Sequence, residues 1–582
     1  MLNQGISMTN TNNTPKKFQR ELIVVVKPEA GVRATREGVS SIAAANVNPI
    51  AELLSSENAT MRPLFGLSEE RMQARTASLA TQSNADVPDL SVYYKIDAPD
   101  ERLEEIAARL REQEIVEAAY VKPAPELPIA LSTRNQTLNI MQARTQEVLT
   151  VTPDFSSRQT YLDAAPNGID ARYAWTIPGG SGDGVQIIDI EGDWHFSHED
   201  LLENQGGIIG GSPANDLDWR NHGTAVVGVL GCDLNSYGCT GICPDASVRA
   251  ISIFNEQGYN YAAAIRQAAD ALNPGDIILI ELQARGPRAT GNGQEGLVAI
   301  EWWPDDFDVI RYATSKGIIV IEAAGNGAED LDDPIYDIPF PGFPSNWSNP
   351  FNRVNRDSGA IIVGAGAPPP NTHGRNHGPD RSRLEFSNYG SAIDAQGWGS
   401  EVTTCGYGDL QGGINEDEWY TDKFSGTSSA SPIVVGAVAC VQGVLRALGM
   451  SPLTPGAARD LLRSTGSPQQ DAPGRPNNQR IGNRPDVREM IANLLGDNRK
   501  VVIYSDSEYR GISQELEPGI YDLDQLTIGN DTLSSLRVPP GMLTILYEQP
   551  GFTGQSKEFS SDTTYVGDDF NDKTSSLEIL VL

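Results

Sequence analysis

The 582-residue chain is short of thiols, of basic charge and of long apolar runs, and each shortage closes a class of function. Five cysteines, an odd number in so long a chain, exclude a disulfide scaffold. Lys and Arg number 44 against 77 Asp and Glu, a net charge of −33, which argues against a nucleic-acid partner because phosphate binding runs on basic side chains. No stretch reads as the ~20 apolar residues of a membrane span. The first twenty residues are polar and lack the apolar core of a secretory signal, so the expectation for 1–20 is a flexible leader. What is present is 39% apolar and 21% charged, with 57 Gly and 37 Pro. That is a foldable, turn-rich composition, and the length predicts about three or four domains.

The pattern changes three times along the chain. Over 21–128, a buried run Leu22–Val26, an alternating run Leu90–Ile96, a helix with Leu103, Ile106, Ala107 and Leu110 on one face, and a run Glu117–Val121 predict a small α+β domain. It ends in the rigid segment Lys122–Pro128, and the polar stretch 129–165 has no period and reads as a linker. From 166 to 498, short β-branched runs (Gly184–Ile190, Val248–Phe254, Asp276–Leu282, Gly317–Ala323, Ala360–Gly364) alternate with helical segments such as Tyr261–Leu272 and Phe307–Ser315. That pattern predicts an α/β fold with a parallel sheet covered on both faces. Glu329–Ser358, rich in Pro, Asp and Asn, reads as a long surface loop. The residues 500–582 hold an internal repeat, with Asn530-Asp-x-x-Ser-Ser535 matched by Asn571-Asp-x-x-Ser-Ser576, and read as two copies of one all-β unit.

Three residues of the middle region make a chemical set. Asp189 lies near the end of an apolar strand, His222 lies near the start of a helix carrying Gly223, Ala225 and Gly228, and Ser428 opens the apolar segment Ile433–Val441. A Ser hydroxyl becomes a nucleophile when a His takes its proton, and that His needs a carboxylate to fix its tautomer. Asn326, directly after the strand ending at Ala323, offers an amide to hold the oxygen of a tetrahedral intermediate together with the Ser428 backbone N–H. Cys232, Cys239 and Cys243 fall within twelve residues without zinc-ligand spacing, and His195, His198, His373 and His377 read as surface histidines.

With IIDIEG at Asp189, NHGTAVVG at His222, AAGNG at Asn326 and GTSSASP at Ser428, the region 166–498 resembles the subtilisin-like serine peptidases, the subtilases. The resemblance implies a three-layer α/β/α domain and endopeptidase action through an acyl-enzyme. It assigns Asp189 as orienting carboxylate, His222 as base then acid, Ser428 as nucleophile and Asn326 as oxyanion donor. Glu281, Leu282 and Gly325 fall on the substrate-binding segments. Glu281 stands where the family usually has Ser, so the cleft is expected to prefer Arg or Lys on the acyl side of the cut; the other reading pairs Glu281 with Arg285. The domain at 21–128 resembles the subtilase propeptide, which implies a zymogen whose own propeptide acts as intramolecular inhibitor, with Arg134 and Arg144 as candidate cut sites. The repeat at 500–582 resembles a βγ-crystallin domain, which implies two structural Ca²⁺ ions, one per repeat, on Asn530, Asp531, Ser534, Asn571, Asp572 and Ser575. Partners are then protein or peptide substrates, with no nucleic acid and no membrane span, and family resemblance favours the outside of the cell. The rival reading is a catalytically inactive subtilase-fold binding protein that presents the crystallin module.

Overall fold

The computed structural model describes residues 20–35, 38–83, 86–124, 126, 151–291, 293–495, 500–539 and 541–581. Arg134 and Arg144 lie outside them.

Seven parallel strands form the central sheet, in the order Ile393–Trp398, Ile361–Gly366, Ile319–Ala323, Ile277–Ile280, Gln186–Glu191, Ser247–Ser252, Gln205–Gly210. Their side chains alternate between two cores, one on each face. Ile187 packs under the helices Leu217–Gly231 and Thr427–Ala447, while Ile188 and Ile190 pack under Tyr261–Ala271 and Pro304–Ser315. This is the three-layer α/β arrangement expected from the strand pattern. Two strands escaped that reading. Gln205–Gly210 is a glycine-containing, half-exposed edge strand, and Ile393–Trp398 carries the polar Asp394, which is neutralised by Arg353 at 2.6 and 2.9 Å. The helix Thr427–Ala447 is long and apolar enough to cross a membrane, but it is wholly buried as the core helix of this domain.

The stretch 129–165 is not a linker throughout. In its described part, Tyr161 and Leu162 are fully buried in the main core, because their aromatic and aliphatic bulk outweighs the polar residues around them. Likewise Glu329–Ser358 is irregular but not superficial: Tyr336, Phe343, Trp347 and Phe351 close around Trp302.

The N-terminal unit is a four-stranded antiparallel sheet in the order Thr60–Pro63, Tyr93–Asp97, Glu21–Val26, Val116–Lys122. Leu22, Val24 and Val26 face its own helices, Asn48–Ser56 and Leu103–Arg111. Ile23 and Val25 instead join the core that includes Tyr261, Ile265 and Trp303 of the large domain. Every residue of Glu21–Val26 is buried for that reason: one face is intramolecular core, the other an interface. Polar anchors fix the docking. Tyr120 donates to Asp305 at 3.0 Å, the Lys122 ammonium to Asp305 at 2.8 Å and to Asp306, and the Asn260 amide to the Leu64 carbonyl at 2.7 Å. Asp305 and Asp306 occupy the first turn of Pro304–Ser315, where the helix dipole favours anions.

The C-terminal unit packs two sheets, Arg510–Leu516, Val501–Asp506, Ser535–Arg537 and Gly519–Tyr521, Ser576–Val581, Met542–Gln549, Thr553–Phe559. Gly519–Tyr521 belongs to the first repeat by sequence yet pairs with Ser576–Val581 of the second, and a single bridge, Leu536 to Thr563, runs the other way.

Lys122→Met should strand two buried aspartates. Removing one partner of a buried ion pair costs about 3–5 kcal/mol, read as a lower denaturation midpoint in a Ser428→Ala background. An unchanged midpoint would show that Lys122 does not hold the two units together.

Candidate active site

The strand Gln186–Glu191 places Ile187, Asp189 and Glu191 on one face by its two-residue period, beneath the helix that carries His222. His222 lies in the second turn of Leu217–Gly231, which starts earlier than expected because Asp216 caps the backbone N–H groups of Asp218 and Trp219. The next residue, Gly223, lets this helix close on the strand end: a Cβ there would lie 2.3 Å from the Asp193 carbonyl.

The His222 ring corrects the expected triad. Its Nδ1 is 2.8 Å from Glu191 Oε2, not from Asp189. Asp189 lies two residues deeper in the strand and accepts from Trp194 Nε1 at 2.7 Å. Glu191, the last strand residue, has the reach that an aspartate two positions back lacks. Nε2 of His222 has no hydrogen-bond partner among the described residues. Burial pushes the His222 ring down to about 3, so it is neutral at ordinary pH. Burial pushes Glu191 up, with the charge of Glu281 adding to it, while the neighbouring Asp189 carboxyl opposes the rise.

Ser428 is the second residue of Thr427–Ala447 and is fully buried. The preceding Gly426 has φ 116°, a conformation that only glycine adopts without strain, and it turns the chain sharply into this helix. Asn326 follows the strand Ile319–Ala323; its side-chain oxygen accepts from Thr427 N at 2.8 Å and Thr427 Oγ1 at 3.0 Å. With the oxygen so engaged, the amide NH₂ is the edge turned away from Thr427. Gly325, at φ 93°, brings this turn against the Leu297 carbonyl and the Asn388 amide, 3.0 and 2.9 Å from where a Cβ would stand.

Glu281 does not line a substrate pocket with a free carboxylate. It is fully buried, its Oε1 accepts from the Ser431 hydroxyl, and the Ser428 hydroxyl is within hydrogen-bonding reach of the same group. Burial drives its carboxyl well above the usual range, which favours the neutral form and makes it a poor partner for a substrate guanidinium. The alternative partner fails too: Arg285 pairs with Glu126 at 2.7 Å. Leu282 is buried in the core, and Gln283 after it accepts from Asn326 N at 3.0 Å through its side chain. Glu126 forms an antiparallel bridge with Gln283, so the tail of the N-terminal unit runs along this edge.

The remaining candidates fall elsewhere. All five cysteines are buried free thiols, with Cys232 and Cys405 meeting at 3.0 Å between sulfurs. The histidines expected at the surface are engaged: fully buried His198 has Nε2 2.8 Å from the Trp419 carbonyl, His195 meets Asp417 at 2.6 Å, and His377 meets Glu401 at 2.7 Å. In the C-terminal unit the two motifs cross. Ser575 Oγ reaches Asp531 Oδ1 at 3.2 Å and Ser534 Oγ reaches Asp572 Oδ1 at 3.5 Å, while Asp531 and Asp572 share left-handed φ of 54° and 55°. Asn530 and Asn571 each donate to the aspartate that follows, at 2.8 and 2.9 Å. Each aspartate meets the serine of the other repeat because the strands are exchanged.

Comparison with known proteins bears on these features. The model of the Subtilase family (Peptidase_S8) matches residues 194–484, half of the chain. The intracellular serine protease of Paenibacillus polymyxa is 26% identical over 302 residues, 50% of this chain and 76% of its own. Thermitase of Thermoactinomyces vulgaris is 26% identical over 309 residues, 51% and 86%. Among solved structures, βγ-crystallin domains from Clostridium beijerinckii (42% identity, 14% of this chain, all of that one, TM-score 0.14) and Flavobacterium johnsoniae (36%, 14%, 93%, TM-score 0.14) are similar.

Glu281→Gln should stabilise the protein as pH rises. The native carboxyl keeps its proton while the unfolded one loses it near pH 4.3, so the wild type alone loses stability above that pH. Thermal melts are expected to separate in favour of the variant at pH 8 and to converge at about pH 4 and below. A variant less stable at pH 8 would mean that Glu281 is ionised.

Proposed function

The chain belongs to the subtilase family, and from that premise we propose that it is a serine endopeptidase working through Ser428, His222 and Glu191, with Asn326 as oxyanion donor. The observation that carries the reading is the 2.8 Å contact between Glu191 and His222 Nδ1, which fixes the ring's proton on Nδ1 and leaves Nε2 as the acceptor. For the relay to run, the Ser428 hydroxyl at the start of Thr427–Ala447 must reach Nε2. Ser428 Oγ then attacks the peptide carbonyl as Nε2 takes its proton, and the carbonyl oxygen collects negative charge against the Asn326 amide and the Ser428 backbone N–H. Collapse expels the amine with the proton from Nε2 and leaves an ester on Ser428. Water repeats the sequence and frees the acid.

The same reading makes the N-terminal unit an inhibitory propeptide, supported by its buried interface and by the Glu126–Gln283 bridge along the substrate edge. Wild-type protein is then expected to lose this unit, while Ser428→Ala stays full length. The C-terminal unit is proposed to bind two Ca²⁺ ions, its oxygen-rich, left-handed turns at Asp531 and Asp572 suiting a hard cation.

Two outcomes test the reading. Ser428→Ala should abolish peptide hydrolysis and fluorophosphonate labelling while the fold survives, and Asn326→Ala should lower kcat about 10²–10³-fold, the usual cost of one oxyanion donor; turnover by purified Ser428→Ala, or a wild type that never labels, would favour the inactive binding protein. In calcium titrations of full-length Ser428→Ala protein, Asp531→Ala and Ser575→Ala should each remove one ion and together remove no more. Loss of two ions by the pair would restore one site per repeat.

A further inference from the structure

One carboxyl has no part in the relay just described. Asp189 is fully buried, with Oδ2 bonded to Trp194 Nε1, as Glu191 Oε2 is bonded to His222 Nδ1. The other oxygen of each, Asp189 Oδ1 and Glu191 Oε1, has no donor among the described residues. Yet the two carboxyls stand two residues apart on one face of the strand Gln186–Glu191, and each shifts the other's hold on a proton. Two buried carboxylates in that relation repel and leave both oxygens unsatisfied; a single proton between them removes one charge and satisfies both.

We propose that Asp189 is a positioning residue that carries this proton and donates it to Glu191 Oε1, so that Glu191 remains the anion that His222 Nδ1–H requires. The direction of donation follows from the surroundings. Burial and the adjacent Glu191 charge raise the Asp189 carboxyl, while the bond from Asp189 draws Glu191 down against its own burial and the charge of Glu281. Without the donor, the proton passes to Glu191 itself. A neutral Glu191 would donate to Nδ1, the ring proton would move to Nε2, and Nε2 could no longer accept from Ser428. The exchange involves one proton and needs no further reagent.

The groups facing the pair come from every neighbouring element. Beyond the strand end is Asp193, itself 4.0 Å from Arg220; on the adjacent strand's end is Glu281; on the helix above is His222; and Tyr407 approaches from the loop after Val402–Cys405. Burial raises Glu281, Tyr407 and Asp193, the last against the pull of Arg220, and all three are common to the wild type and the variants compared below.

The test is the pH dependence of kcat/KM, once the N-terminal unit has been lost, for Asp189→Asn, which keeps a donor, and Asp189→Leu, which removes it, with Asp189→Ala replacing Leu if that variant misfolds. Asp189→Asn should keep the acid limb at the wild-type pH. Asp189→Leu should move it upward by about one unit or more, a tenfold loss at fixed acidic pH that is recovered as Glu191 deprotonates. A purely structural role would depress the rate equally at all pH, and that result, or an equal shift in Asp189→Asn, would overturn the proposal. It rests on the serine peptidase reading: a wild type that fails to label with a fluorophosphonate overturns both, whereas a labelled wild type with an unshifted Asp189→Leu overturns this one alone.

Discussion

Negative charge buried at the carboxyl end of the central strand is the constraint around which the site is organised. Asp189 and Glu191 share one face of Gln186–Glu191, and Glu281 stands just beyond the neighbouring strand Ile277–Ile280. The basic group bonded to Glu191 is His222, which burial itself keeps neutral. Among the described residues no Lys or Arg pairs with Asp189, Glu191 or Glu281, so burial favours their protonated forms, and which of them holds a proton decides the state of the relay.

The molecule solves the same problem differently at its other acidic cluster. Asp305 and Asp306 are as deeply buried, but there Lys122 supplies the cation and a helix N-terminus supplies partial positive charge. That cation arrives from the N-terminal unit, so the charge balance of the large domain on this face depends on the smaller one. On the His222 face the compensation is internal and made with protons. One surface is thereby sensitive to the presence of a partner segment, the other to pH.

Much of this was legible in the sequence, and the failures share a cause. The parallel sheet, the helices of the large domain and the nucleophile segment follow from β-branched runs and apolar periodicity, which report burial directly. The motif match points to Asp189 alone; strand period puts Asp189 and Glu191 on one face, and only Glu191 is at the strand's end, where α/β sheets place working groups. For Glu281 the sequence offers a pocket charge or a pair with Arg285, because it shows an acid without its desolvation; the structure instead bonds it to Ser431, 150 positions away. The crossing of Asp531 with Ser575 follows from strand exchange between the repeats, which no local pattern encodes. Tyr161 and the aromatics around Trp302 sit in segments whose polar composition hid a few large buried side chains.

The central claim is that Glu191, and not Asp189, is the carboxylate that orients His222. The most direct measurement is kcat for Glu191→Gln at neutral pH. An amide at that position would present a donor to Nδ1 and fix the wrong tautomer, so kcat should fall about 10⁴-fold with the fold unchanged. Turnover by Glu191→Gln within a few-fold of wild type would contradict the account.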